Sequence, residues 1–175
     1  MLYLLSLSEN KLSVPKTGTD LNYKTYNFDL AEEYTMIHYN TDMIEDGYDQ
    51  VHGEAEDLDE LKNIIFSDGS FPDCVGYIKA DDLENTTVCV CAVKELGVFL
   101  GISLNSEEYL SLFDSGLLNE VVDVWGDDLN VSKGLFIPAE LAWVGIEELI
   151  TNGKLTDKIQ WISPKELPEE GNYII

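Results

Sequence analysis

The octapeptide Thr86-Thr87-Val88-Cys89-Val90-Cys91-Ala92-Val93 constrains the fold more than any other stretch of the chain. Successive side chains of a strand point to opposite faces, so Val88, Val90 and Ala92 share one face and Cys89, Cys91 and Val93 the other. Both faces are apolar. A strand of that kind belongs in the middle of a sheet and is covered on both sides. Its neighbours are readable as well. Cys74 to Lys79 forms a hairpin with it through the acidic turn Asp81-Asp82-Leu83-Glu84-Asn85, and Val98 to Leu104 reads as a further strand.

Other segments are assigned by periodicity. Leu2 to Leu7 reads as a strand, residues 8–22 as loop, and Tyr23, Tyr26, Phe28 and Leu30 as an extended aromatic run. Leu58, Leu61, Ile64 and Ile65 recur at helical spacing and predict a helix from Glu54 to Phe66. A second helix is predicted from Ser106, on the spacing of Leu110, Phe113, Leu117, Val121 and Val124. A third runs from Ala139 to about Ile150, with Pro138 at its first helical position and Asn152-Gly153 as its stop. Ile159 to Ile162 and Tyr173 to Ile175 read as closing strands. The expected fold is α+β: one compact domain over 1–175, a mixed or mainly antiparallel sheet, and about three helices.

Charge bears on function more than on fold. The chain has 34 Asp and Glu against ten Lys and no Arg, a net charge of −24, yet it is 45% hydrophobic with nine Tyr, six Phe and three Trp. Disordered acidic tails lack such aromatics, so the charge sits on a folded object. Like charge on a compact body repels itself, which favours a positively charged partner. Free nucleic acid and anionic lipid would be repelled. A domain of this length has a diameter of about 40 Å. Duplex DNA of that length carries about 24 charges, so the total matches, but the acids run along almost the whole chain instead of one segment. Many of them also read as ordinary solvated surface.

Several chemistries fail on spacing. With Gly47 at the sixth position of a calcium loop, Ile44 takes the third position and Gly53 the twelfth, so two oxygen ligands are missing. Three Cys and two distant His do not make a zinc set. Cys89 and Cys91, with Cys74 across from them, read as small buried hydrophobes. The chain has no phosphate-binding Gly-rich loop, no Gly-x-Ser-x-Gly and no His-Glu-x-x-His. Without Arg it also lacks the bidentate clamp for phosphate. The reading is non-enzymatic, with no cofactor and no metal. Met-Leu-Tyr-Leu-Leu-Ser-Leu is too short an apolar run, with no basic residue before it, for a signal peptide or a membrane span. A cytoplasmic protein is expected, and the sequons at Asn85 and Asn130 are read as chance.

The densest block, residues 42–60, holds nine acids and no Lys. Asp42, Glu45, Asp46, Asp49, Glu56, Asp57 and Glu60, with Tyr48, are the expected contacts for a basic protein partner. Carboxylates would speed association, and tyrosine would slow dissociation. In size, acidity and lack of catalytic motifs the whole chain resembles bacterial immunity proteins of contact-dependent and other polymorphic toxin systems. That resemblance carries no residue over. It implies an inhibitor that binds and neutralises a toxin domain, often a nuclease. Two alternatives are a phage or mobile-element DNA mimic that inhibits a defence nuclease, and a calcium-binding protein using scattered carboxylates.

Overall fold

A computed structural model describes residues 36–43, 49–66, 69–124 and 130–168, with only the backbone of 41–43 and 49–51. The strand expected at Leu2–Leu7, the aromatic run of 23–30 and the closing strand Tyr173–Ile175 lie outside these residues. All described residues belong to one unit, Glu33–Ile175.

In chain order the elements are β1 (Ile37–Met43), β2 (Asp49–Ala55), α1 (Leu58–Ile65), β3 (Cys74–Ala80), β4 (Thr86–Val93), β5 (Gly97–Leu104), β6 (Glu107–Leu112), β7 (Val121–Asp123), β8 (Asn130–Ser132), α2 (Ala139–Asn152) and β9 (Gln160–Ile162). Seven strands form one sheet in the order β2-β1-β3-β4-β5-β6-β9, with β7 and β8 as a separate pair. Every pairing in the large sheet is antiparallel. β4 is the central strand, as its two apolar faces require. The domain is therefore α+β with a mainly antiparallel sheet, and its described α-helices number two.

The missing helix is the one predicted from Ser106. Asn105 (φ 53°) and Ser106 (φ 69°) both take left-handed backbone. They join Leu104 and Glu107, which pair directly, as a two-residue hairpin loop. Beyond this turn the chain is strand. Leu110 and Leu112 alternate with Tyr109 and Ser111, and the buried Ser111 hydroxyl accepts from the Leu100 N–H (3.0 Å) and donates to the Leu135 carbonyl (2.8 Å). Asp114 then caps a single 3₁₀ turn, Ser115–Leu117, by accepting from the Gly116 N–H.

The expected helix from Glu54 starts four residues later, because Glu54 and Ala55 are the end of β2. Pro138 is the residue before α2 and not its first turn, and Gly153 (φ 64°) ends the helix in the left-handed conformation that glycine adopts without penalty.

Two cores flank the sheet. On one face, α1 and α2 bury Leu61, Ile65, Trp143, Ile146 and Leu149 against Ile37, Ile78, Val88, Val90, Leu100 and Ile102. Phe66 stacks on Trp143 at 5.8 Å, and the Lys62 ammonium lies 5.3 Å over the same indole. On the other face, the segment around β8 and the following turn packs Val131, Leu135 and Phe136 on Val75, Cys91, Phe99 and Leu110. Burial of side chains this size is worth roughly 1.5–3 kcal/mol each. The cysteines divide between the faces. Cys74 lies across from β4 as expected, but it pairs with Ala92 and faces the helices, while Cys91 pairs with Val75 in the second core.

Candidate functional site

Among the described residues, the second core packs on one end of its face. The sheet register defines the other end: Ile37 opposes both Ala55 and Ala80, and Leu104 opposes both Thr86 and Glu107. The end of β2, the start of α1, the β3–β4 turn and the β5–β6 turn therefore lie at one edge. These elements bring Glu54, Glu56, Asp57, Glu60, Asp81, Asp82, Glu84, Glu107 and Glu108 to it, all exposed.

This arrangement divides the acidic block of 42–60. Met43 opposes Asp49, and Asp42 opposes Gln50, at the far end of the β1–β2 hairpin. Six strand steps of about 3.4 Å separate that end from Ile37 and Ala55, or roughly 20 Å. Asp42 and Asp49 are thus remote from Glu56, Asp57 and Glu60. Glu45, Asp46 and Tyr48 lie outside the described residues. In place of the remote pair, the fold supplies Asp81, Asp82, Glu84, Glu107 and Glu108. These are visible in the sequence as minor acidic clusters, but only the strand register shows that they line the same end of the sheet.

Several of these carboxylates also have local work. Asp57 caps α1 by accepting from the Glu60 N–H (2.8 Å), and Glu60 reaches back to accept from the Glu56 N–H (2.7 Å). This reciprocal pair satisfies two otherwise free donors and leaves both side chains exposed. His38 lies between two acids, with Nδ1 3.4 Å from Glu54 Oε1 and Nε2 3.0 Å from Asp81 Oδ1, so it ties β2 to the β3–β4 turn across β1. The Tyr109 hydroxyl donates to Glu107, and that hydrogen bond pushes the tyrosine pKa up.

From this acidic edge, a polar row crosses the part of the sheet face that the second core does not reach. The register aligns Glu54 with His38, His38 with Lys79, Thr87 with Ser103, and Ser103 with Glu108, and Lys79 and Thr87 each lie one residue past the Ile78–Val88 pair that joins their strands. Beside the row, His38, Asn40, Tyr77, Lys79, Thr87, Ser103 and Glu108 line a concavity of about 570 Å³. It is shallow and open, with Tyr39 and Tyr77 as its aromatic members among otherwise polar side chains. Among the described residues, no three His, Cys, Asp or Glu side chains converge to hold a metal ion. Burial pushes the thiols of Cys74 and Cys89 up to about 12 and Cys91 up as well, so none is poised as a nucleophile. No described helix is long and apolar enough to cross a membrane.

No protein-family model, curated protein or solved structure matches the chain.

Proposed function

We propose that this chain is a non-enzymatic acidic inhibitor that binds and neutralises a basic protein, as an immunity protein does for the nuclease domain of its cognate toxin. One observation carries the reading: nine exposed carboxylates from three separate parts of the chain line the same end of the sheet. Charge focused this way attracts a cationic groove over a Debye length and speeds encounter. The carboxylates then occupy the Lys and Arg positions that would otherwise hold phosphates. The strands and the capped helix fix the backbone that carries the acids, so binding need order only their side chains.

The test is capture of a basic partner from the native host on the immobilised chain, followed by inhibition of that partner's activity. Glu56→Lys, Asp82→Lys and Glu107→Lys together should weaken inhibition by on the order of a hundredfold. Glu95→Lys, Glu120→Lys and Glu140→Lys change the net charge equally but lie away from the edge, and should weaken it by less than about tenfold. Equal losses in the two triple variants would refute the placement. Failure of a basic protein to be retained on the immobilised chain at low salt would refute the reading.

A further inference from the structure

The acidic edge continues into a row that is not uniformly negative. Lys79 stands within it, exposed, with no hydrogen bond or ion pair among the described residues. His38 beside it is held by Glu54 and Asp81. Thr87 and Ser103 follow on the next two strands, and Glu108 closes the row. With strands about 4.8 Å apart, Lys79 lies roughly 10 Å from the Glu54 position and roughly 14 Å from that of Glu108. The face therefore reads minus, plus, minus.

A uniformly basic surface does not complement that pattern, because it would meet Lys79 with like charge. The complement is a carboxylate flanked on both sides by cations. Sites that process nucleic acid have this composition: carboxylates act as base or metal ligands, between the cations that grip phosphates. Resting on the inhibitor reading above, we infer that the sheet face around Lys79 docks the centre of the partner's active groove. The Lys79 ammonium pairs with a partner carboxylate there, and the Thr87 and Ser103 hydroxyls donate to its remaining lone pairs. Glu54 with Asp81 on one side, and Glu108 on the other, take the flanking cations. The inhibitor thereby reaches the partner's reacting groups as well as its substrate-binding rim.

The sign of one mutation separates this from general attraction. The probe is a glycine–serine peptide with arginines three residues before and four residues after a single glutamate, which spans about 10 and 13 Å at roughly 3.3 Å per residue. A second peptide has glutamine in place of the glutamate. Affinities for the full chain are measured at about 10 mM salt, where exposed charges are little screened. Lys79→Gln should weaken the glutamate peptide by about fivefold, the upper range for an exposed ion pair, and should tighten the glutamine peptide. If Lys79→Gln tightens both peptides equally, the inference is overturned. The Glu56, Asp82 and Glu107 triple reversal, run beside it, should weaken both peptides. If it weakens neither, the docking edge itself is misplaced, which is a separate failure from that of Lys79.

Discussion

The three buried thiols make alkaline unfolding a quantitative test of the fold. Cys74, Cys89 and Cys91 have 1%, 0% and 1% of their surface exposed. Desolvation raises Cys74 and Cys89 from 9.0 to about 12, and Cys91 moves in the same direction. Below about pH 9, folded and unfolded chains hold these protons alike, and stability does not depend on them. Above that point the unfolded thiols ionise while the folded ones stay protonated, so the folded state binds more protons and stability falls as pH rises. Each thiol contributes about 1.4 kcal/mol per pH unit, hence roughly 4 kcal/mol per unit for three. A total stability of about 5–15 kcal/mol would be used up within a few units. Urea unfolding followed by tryptophan fluorescence at about pH 8, 9, 10 and 10.5 measures the slope. The Cys74→Ala, Cys89→Ala, Cys91→Ala variant controls for Tyr and Lys ionisation, which both proteins share. It starts less stable, so slopes are compared and not absolute values. The intact chain should lose roughly 4 kcal/mol more per unit than the variant above about pH 9, and the two should run parallel below it. Parallel slopes throughout would show that the thiols are not buried in the folded state.

Two further predictions concern the elements that position the site. Gly97 has φ +108°, and a Cβ there would overlap the Ile137 carbonyl oxygen, whose residue also exchanges two backbone hydrogen bonds with Val98 (2.9 Å each). Gly97→Ala should therefore cost about 3 kcal/mol or more in urea unfolding; a loss under about 1 kcal/mol would mean that this contact does not set the approach of α2 to the sheet. Asp57→Ala removes the α1 cap and should lower stability by about 1 kcal/mol, or Tm by about 2–4 °C, with an unchanged Tm as the contrary result.

The sequence made the sheet centre legible and left the edges and the site less so. β4 and α2 follow from strong signals: two apolar faces in the first, and a Pro and Gly pair around periodic apolar residues in the second. β6 was misread because Leu110, Phe113 and Leu117 also fit helical spacing, and because the turn before it uses Asn105-Ser106 without the glycine that usually marks two left-handed residues. β2 was hidden by its polar composition. Val51, Gly53 and Ala55 alternate with Gln50, His52 and Glu54, and Gly53 leaves room for the Tyr39 ring, whose hydroxyl oxygen would lie 2.6 Å from a Cβ there. The acidic block was legible as charge density alone. Its division between two ends of a hairpin depends on the β1–β2 register, and the recruitment of Asp81 and Glu107 on neighbours in the sheet that lie far apart in sequence.

The strand order bears on how the acidic edge comes into being. β3 to β6 join consecutively, so each of their hairpins closes over a short span, whereas β1 reaches β3 only across β2 and α1, with Ile37 opposite Ala80. Until that longer closure is made, Glu54, Glu56, Asp57 and Glu60 remain apart from Asp81, Asp82 and Glu84. Apolar pairing of Ile37, Ile78 and Ala80 must then pull mutually repelling groups together. The acidic edge thus depends on a long-range pairing in the sheet: a chain with a finished meander but a detached β1–β2 hairpin would keep much of its core and bring together only the carboxylates of the two later turns.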